Sequence, residues 1–324
     1  MFGVIGRGPH LRRVLALVSL FVALAGATPA APTTKIGVVL AGRVLVFWQT
    51  MIKGIERAAE DLHVDLVMRG PVDGPLGVQR NIQLRLISDM VQSGVAGIVL
   101  APEPLDGVAT PVSIAVPTVL IDRSSTDYSA ISTVATDNFA AGRTAALSLA
   151  PVLSKGAKIA VLRLAANISS TTERENGFLS VAREMGWEIV VDTHVGHRYR
   201  YREPEELIAK ALNGYAGHLD AVFAPAEPVA YGALRVIEAM PVDDRPRLVV
   251  FDWRHELLDA LQRGVLYAAV VQDAFRMGYL AVETLVAATQ GRPPAPEKFV
   301  DVVTVTQANV NDAAIQAVLA SYSK

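Results

Sequence analysis

Polar and aromatic residues stand in pairs directly after five apolar runs of this sequence. Carboxylates accept hydrogen bonds from hydroxyl groups, a guanidinium donates a rigid fork of N–H groups, and an aromatic ring packs against apolar C–H groups. Together these side chains could bind a neutral, polyhydroxylated ring. The five pairs are Phe47-Trp48, Asp122-Arg123, Asp137-Asn138, Asp252-Trp253 and Gln272-Asp273.

Phe47 and Trp48 place two large aromatic residues side by side at the start of a predicted helix. Aromatic residues make up only 6% of the chain. Neighbouring positions on a helix point about 100° apart, so one apolar face does not easily bury both rings. We expect one ring to anchor the helix in the core and the other to face a ligand as a stacking surface. The alternative is that both rings are core residues.

Several of the other candidates also have a structural interpretation. Asp252 could cap a helix that begins near Arg254, because aspartate is a favoured N-cap. Gln272 could satisfy only backbone groups, and the acid–arginine pair that follows residue 121 could be structural. Asp137 is expected to cap the helix over residues 138–150 rather than to contact a ligand.

Short apolar runs alternate with amphipathic stretches along the chain after residue 34. Apolar runs without polar alternation are typical of parallel strands covered on both faces, and a strand–helix alternation predicts a doubly wound α/β fold. About five such units lie on each side of residue 137, and ligands of such sheets bind beyond the carboxyl ends of the strands. The predicted strands lie in KIGVVLA, VDLVMRG, VAGIVLA, VPTVLID, AKIAVLRL, WEIVVDTHV, LDAVFAPA, RLVVFDW and LYAAVVQD.

The first thirty residues have the pattern of a cleaved signal peptide. Three arginines precede the apolar run Val14–Ala25, and small residues follow it, so cleavage is expected after Ala27 or Ala30. The apolar run is too short to span a bilayer stably. We therefore expect the mature protein to be soluble outside the cytoplasm, most simply in a periplasm. The chain has no cysteine, which excludes a lipid-anchored lipoprotein, disulfide bonds and thiolate metal sites.

Length, charge and motif content restrict the class of function. A chain of 324 residues suggests two domains, and a net charge of −2 without a basic block argues against nucleic acid as a partner. The sequence has no nucleophile elbow, zinc-protease helix motif or phosphate-binding loop, so no enzyme and no cofactor are predicted. His194 and His197 have no carboxylate placed to complete a metal site, and the arginine-rich loop after them is interpreted as solvated rather than as an anion site.

Seven segments of the sequence form a recognisable series when their order and spacing are taken together. They are FWQTMIKGIERAAED, PTVLIDR, VATDNFAAGRTAA, TERENGF, LDAVFA with YGALRVIEAM, VVFD, and VVQDAFRMGYLAVETL. Together they resemble successive motifs of the ribose/galactose-type periplasmic binding proteins, the type I solute-binding components of ABC sugar importers. The resemblance covers the chain from about Lys35 to its C-terminus. It implies two Rossmann-like lobes, joined by three hinge strands, that close over a sugar.

The resemblance also implies how the chain is divided and what it contacts. After the signal peptide predicted over residues 1–30, it predicts an N-terminal lobe over 35–136 plus 273–302, and a C-terminal lobe over 137–272 plus 303–324. Hinge crossings are expected near Thr136-Asp137, Gln272-Asp273 and Val302-Val303. A monomer would capture a small sugar or polyol and deliver it to an inner-membrane ABC permease. The alternative partner is a membrane histidine kinase or chemoreceptor that senses the same closure.

A repressor effector domain with this fold is not expected. It would need a DNA-binding helix-turn-helix ahead of residue 35, where the predicted signal peptide lies.

Nine residues are predicted to contact the ligand, eight of them through the resemblance and Trp253 as an added wall. The two adjacent aromatic residues match the stacking rings of the first lobe, and the Asp-Arg pair matches the one that grips ring hydroxyls. An acid and an amide of the second lobe complete the polar contacts, a second tryptophan adds a wall, and a tyrosine lies in a loop that aligns poorly. The set is Phe47, Trp48, Asp122, Arg123, Arg174, Tyr199, Asp252, Trp253 and Gln272.

Four positions depart from the ribose-binding pattern. Leu45, Ala101 and Ala226 stand where that pattern has asparagine, and Thr172 stands where it has arginine; Glu227 lies beside the last alanine. A site built to hydrogen-bond a hydroxyl discriminates against a ligand that lacks it, and the converse holds. We therefore expect a deoxy sugar, a smaller polyol or a partly apolar solute rather than ribose.

Overall fold

The computed structural model describes residues 1–3, 33–70, 76–105, 110–196 and 202–323. The chain divides into the units Met1–Pro32 and Thr33–Lys324, and the fold described below is that of the second unit. Most of the predicted signal peptide and Tyr199 lie outside the described residues. The strands are β1 Lys35–Val39, β2 Asp65–Arg69, β3 Gly97–Leu100, β4 Thr118–Ile121, β5 Ser132–Thr136, β6 Lys158–Arg163, β7 Glu188–His194, β8 Ala221–Ala224, β9 Arg247–Phe251, β10 Leu266–Gln272, β11 Glu297–Val300 and β12 Val302–Thr306.

Helices follow most of these strands, as the alternation of the sequence predicts. None of the helices within the described ranges is long and apolar enough to cross a bilayer. They are α1 Val46–Leu62, α2 Leu76–Gln92, α3 Asn138–Leu147, α4 Ser169–Glu184, α5 Arg202–Leu212, α6 Glu227–Glu238, α7 His255–Gln262, α8 Ala274–Thr289 and α9 Ala313–Ser321, with a 3-10 helix at Val242–Asp244.

The strands form two six-stranded sheets. The first sheet has the order β11-β5-β4-β3-β1-β2 and is parallel throughout, and the second has the order β12-β10-β9-β8-β6-β7. In the second sheet only the pairing of β12 with β10 is antiparallel among the described strand pairs. Helices α1, α2 and α8 pack with the first sheet, and α3 to α7 pack with the second. These two bodies are called the first lobe and the second lobe, and they confirm the predicted fold class.

The chain passes between the lobes three times. It leaves the first sheet after Thr136, at the end of β5, and enters α3 of the second lobe. It returns after Gln272, at the end of β10, and enters α8 of the first lobe. The third passage lies at Asp301, between β11 and β12, one residue before the predicted Val302-Val303.

Both faces of each sheet are buried, which explains the apolar runs without polar alternation. In the first lobe Val39 packs in one hydrophobic cluster with Ile87 and Met90 of α2. The neighbouring Val38 points to the other face and packs in a second cluster with Met51 and Ile55 of α1. The side chains within the strands are therefore used for core packing, and polar side chains such as Asp122 and Asp252 come after the strands end.

One pair of helices in each lobe packs at glycine positions. A Cβ on Gly54 of α1 or Gly278 of α8 would lie 1.9 Å or 2.2 Å from a carbonyl oxygen of the other helix. A Cβ on Gly142 of α3 or Gly177 of α4 would lie 2.0 Å or 2.1 Å from a carbonyl oxygen in the same way. Glycine lets these helix backbones touch, and the contact fixes α1 and α4, whose first turns face the site described below.

Candidate ligand-binding cleft

A cavity of about 610 Å³, open mouth included, is lined by residues of both lobes. It lies where β4, β9 and β10 end, as expected for open α/β sheets. Seven of the nine predicted residues line it: Phe47, Trp48, Asp122, Arg123, Arg174, Asp252 and Gln272. The other lining residues are Leu45, Leu164, Ile168, Ser170, Thr171, Ala226, Glu227 and Pro228.

Trp253 is not brought to this cavity. Its side chain is 5% exposed and belongs to the hydrophobic core. It borders a separate, smaller recess beside Tyr231 and Arg254. The chain therefore turns at the end of β9 so that the acid faces the cavity and the indole packs behind it.

Phe47 and Trp48 both line the cavity, and both are almost fully buried. Their ring centroids are 5.2 Å apart with an interplanar angle of 72°, an edge-to-face pair. The indole also lies against Gly42, where a Cβ would come within 2.9 Å of Trp48 Nε1. The expected division into one core ring and one ligand-facing ring is not what the structure shows. Helix α1 presents its first turn to the cavity, so consecutive residues reach it.

Asp122 ends β4 in a left-handed backbone conformation, with φ of 75°. Aspartate tolerates this region better than most non-glycine residues. Its N–H donates to Val134 O at 3.0 Å, and its Oδ2 accepts from Arg123 Nε at 2.8 Å. Both side chains of this pair are buried. The first lobe thus contributes an acid and a guanidinium held by each other.

Asp252 ends β9 in the same way, with φ of 70° and its N–H donating to Val270 O at 3.0 Å. Its Oδ1 accepts from Gln272 Nε2 at 2.7 Å, and its Oδ2 accepts from Glu227 N at 3.0 Å. Burial raises the pKa of Asp252. The acid does satisfy a helix N-terminus, but of α6 rather than of the helix after Arg254, where no side-chain cap bond forms.

Gln272 and Arg174 join the cavity to two of the crossings between the lobes. Gln272 Oε1 accepts from Thr136 Oγ1 at 2.9 Å and from an Arg174 terminal nitrogen at 2.8 Å. Arg174 also donates to Asn138 Oδ1 at 2.8 Å and to Pro225 O at 3.0 Å. The side chain of Gln272 therefore does more than satisfy backbone groups, which was its alternative interpretation.

Glu227 also lines the cavity, although no ligand contact was predicted for it. Its carboxylate accepts from Val46 N at 3.2 Å and from Phe47 N at 3.0 Å, and the residue is 2% exposed. Burial raises the pKa of Glu227 to about 7 and the charge of Asp252 adds to this, while the backbone donors and Arg254 oppose it. Proline and alanine separate β8 from Glu227, so the end of this strand has no polar pair in the sequence that would predict a site residue.

The cleft combines charged groups with an apolar wall. Leu45, Leu164, Ile168 and Ala226 line it beside the acids and guanidinium groups. Among the described residues, no group of three or more His, Cys, Asp or Glu side chains could hold a metal ion. The arrangement can bind a small molecule that offers hydroxyl groups on its edge and apolar C–H groups on its face.

Comparisons with known proteins agree with this geometry. The family model described as periplasmic binding protein domain matches residues 36–293. The ribose import binding protein of Bacillus subtilis is 29% identical over 241 residues, which are 73% of this chain and 75% of that protein. The periplasmic component of an ABC-type sugar transport system from Hahella chejuensis is 28% identical, with a TM-score of 0.74 over 84% of this chain and 99% of its own. A carbohydrate transporter solute binding protein from Agrobacterium radiobacter, in complex with D-arabinose, is 23% identical, with a TM-score of 0.76 over 89% and 99% of the two chains.

Proposed function

Since the chain belongs to the periplasmic binding protein domain family, we propose that it is the solute-binding component of an ABC sugar importer. Members of this family bind solutes outside the cytoplasm and are not enzymes, which confirms the interpretation against catalysis. The observation that carries the proposal is one cavity in which an aromatic pair and an Asp-Arg pair of one lobe face an acid and an amide of the other.

The mechanism is capture by closure. A ligand that contacts both lobes only when they are close together binds the closed state more tightly, so binding shifts the population toward that state. Asp252 accepts a hydrogen bond from Gln272, which lies at one crossing and bonds to Thr136 at another. A ligand that contacts Asp252 would therefore act on the segments that connect the lobes. The closed form is the one that an inner-membrane permease would recognise.

The ligand is a deoxy sugar, a smaller polyol or another partly apolar solute, rather than ribose. Leu45 and Ala226, two of the positions that depart from the ribose-binding pattern, line the cavity beside Leu164 and Ile168. A hydroxyl placed against these side chains would lose its bonds to water without gaining a protein partner. A deoxy sugar or a smaller polyol has fewer such groups.

Export and lobe organisation are part of the same proposal. A signal peptide over residues 1–30, cleaved after Ala27 or Ala30, would deliver a monomer to the periplasm. The lobes would comprise 35–136 plus 273–302 and 137–272 plus 303–324. Delivery to a permease is favoured over presentation to a sensor kinase, because several relatives are named as import proteins.

The test is a thermal-shift screen, followed by calorimetry, with D-ribose, D-arabinose, D-fucose and erythritol. A compound that binds the folded protein raises its melting temperature. We expect at least one compound to do so, with D-ribose below the best. If D-ribose is the best stabiliser, the ligand preference is wrong; if no sugar or polyol binds, and none copurifies by mass spectrometry, the proposed function is wrong.

A further inference from the structure

Helix α1 has no cap from its own N-terminal residues. Its N-cap residue, Leu45, makes no side-chain cap hydrogen bond. The first N–H groups of a helix need acceptors and carry a positive partial charge, which a carboxylate satisfies well. Glu227 supplies both acceptors, with one carboxylate oxygen on Val46 N and the other on Phe47 N.

This cap comes from the opposite lobe. Glu227 is the first residue of α6, which packs on the second sheet, whereas α1 packs on α8 and the first sheet. It is 181 residues away in sequence from Val46. Because the two hydrogen bonds join the lobes, moving the lobes apart would break them, and they therefore stabilise the arrangement of this structure, which we call the closed cleft.

The position of Glu227 is itself fixed from the crossings between the lobes. Its N–H donates to Asp252, which accepts from Gln272, which in turn accepts from Thr136. A continuous series of hydrogen bonds therefore runs from the crossing segments through the second lobe to the first turn of α1. The cavity lies along this series, and Phe47 and Trp48 stand at its end.

The charged group nearest to this carboxylate is a more distant partner than α1. Arg254 Nε forms an ion pair with Glu227 Oε1 at 3.9 Å, while the same guanidinium lies 4.5 Å from the Tyr231 ring centroid and 3.1 Å from Glu256. Asp252 repels the carboxylate and binds the backbone of Glu227 rather than its side chain. The strongest partners of Glu227 in this environment are thus the two N–H groups of the aromatic turn.

We propose that Glu227 is a positioning residue of the cleft, which caps α1 from the opposite lobe and holds Phe47 and Trp48 at the cavity when the lobes close. The ligand-related part of this inference rests on the proposed function, whereas the cap itself does not need a ligand. Without the cap, the buried N–H of Phe47 and the partly buried N–H of Val46 lose their acceptor, and the aromatic turn is no longer tied to the second lobe. A bound sugar should then leave faster.

The experiment compares Glu227→Ala and Glu227→Gln with Ser169→Ala. The control removes another contact between the lobes, in which Ser169 Oγ, at the start of α4, donates to Ser124 O at 2.8 Å on an exposed surface. Because the chain has no cysteine, Gln49→Cys and His255→Cys, one exposed site in each lobe, can carry a dye pair that reports closure by energy transfer. The dissociation rate of whichever of D-arabinose and D-fucose binds better is measured on the same proteins.

Glu227→Ala should lower the closed fraction in the presence of the sugar and speed its dissociation about tenfold, as for a buried N–H group that loses its acceptor. Glu227→Gln retains one acceptor and should show a smaller effect, and Ser169→Ala should resemble the wild type. A purely structural role for Glu227 would lower the melting temperature of the sugar-free protein without changing energy transfer or dissociation.

The cap is refuted if Glu227→Ala closes and releases sugar as the wild type does. If this variant does not fold, Glu227→Gln decides by the same measurements. If neither sugar binds the wild type, the energy transfer of the sugar-free proteins still tests the cap: a lower closed fraction in Glu227→Ala is then the expected result, and an unchanged one contradicts it. The proposed function itself fails only if no other sugar or polyol binds or copurifies.

Discussion

Each lobe places an aspartate in the same backbone conformation directly after a strand, but the two aspartates have different hydrogen-bond partners. Asp122 and Asp252 both end a strand with positive φ, and both donate their N–H at 3.0 Å to the next strand. Asp122 then pairs with its own neighbour, Arg123, whereas Asp252 binds Gln272 and the start of α6. The first lobe therefore contributes two adjacent residues that bond to each other, and the second lobe contributes an acid that is hydrogen-bonded to a segment crossing between the lobes.

The helix ends that face the cleft differ in the same sense. Helix α1 is capped across the cleft by the buried carboxylate of Glu227, and α4 makes an exposed hydroxyl–carbonyl contact through Ser169. Hydrogen bonds to charged groups contribute about 1.5–3 kcal/mol, compared with about 0.5–1.5 kcal/mol for neutral ones. Closure is thus expected to depend mainly on the α1 side.

The largest expected effect is a loss of stability that compares the close helix pair of one lobe with that of the other. Gly54→Ala in α1 and Gly177→Ala in α4 each place a methyl group within 1.9–2.1 Å of a carbonyl oxygen. Each should lower the free energy of unfolding by about 3 kcal/mol, because the helix pair must separate. Chemical denaturation measures this, with the exposed Glu56→Ala of α1 as a control that should stay within about 0.5 kcal/mol.

Similar losses in the two glycine variants would support equivalent helix pairs. If only one variant loses stability, the helix pair of the other lobe can move apart at little cost. The two helix pairs would then be alike in structure but not in their contribution to stability.

The next effect separates the two acids. Asp252→Ala should weaken sugar binding by about 1.5–3 kcal/mol and should also lower the free energy of unfolding, because Gln272 and the N–H of Glu227 lose their acceptor. Asp122→Ala should weaken binding with a smaller loss of stability, because its protein partner is a single neighbouring side chain. Calorimetry and denaturation of both variants measure these quantities, and equal stability losses would contradict the distinction.

The sequence was informative where the structure depends on local patterns. The apolar runs predicted nine of the described strands but not β5, β11 and β12, which lie in no such run. Asp137 was predicted to cap α3, and its Oδ1 accepts from Ala140 N at 2.9 Å. The cap role of Asp252 was assigned to the wrong helix, because its partner lies 25 residues away along the chain. Glu227 was missed for the same reason, since its acceptors serve residues on another lobe and no periodicity marks them.

A comparison of two buried glutamates predicts a pH dependence. Burial raises the pKa of Glu227 and of Glu175 from 4.5 to about 7. Each therefore takes up a proton when it is buried, and the resulting stabilisation is present at pH below 4.5 and is lost as the pH rises through about 7. Glu175 bonds to Leu164 N and Arg163 within the second lobe, so its proton is linked to folding.

The proton of Glu227 should be linked to closure, because an open cleft returns its carboxylate to water. Sugar affinity should rise by up to about tenfold as the pH falls from about 8 to about 6, and this dependence should be largely lost in Glu227→Gln. Asp252 faces the same carboxylate, and burial raises its own pKa, so Asp252 accounts for the dependence that remains. In Glu175→Gln the sugar affinity should still depend on pH, but the free energy of unfolding should depend on pH less than in the wild type. A pH-independent wild-type affinity would contradict the linkage.

The smallest effect is spectroscopic and distinguishes the three tryptophans. Trp48 lines the cavity, Trp253 packs behind it, and Trp187 lies in the core of the second lobe, 6.5 Å from the Phe178 ring. A sugar that displaces water from the cavity should alter the emission of Trp48 alone, because indole fluorescence reports the polarity around the ring. The change should persist in Trp253→Phe and Trp187→Phe and disappear in Trp48→Phe at saturating sugar. A signal lost in Trp253→Phe instead would place the ligand against the core of the second lobe and would reverse the roles of the two sides of the cleft.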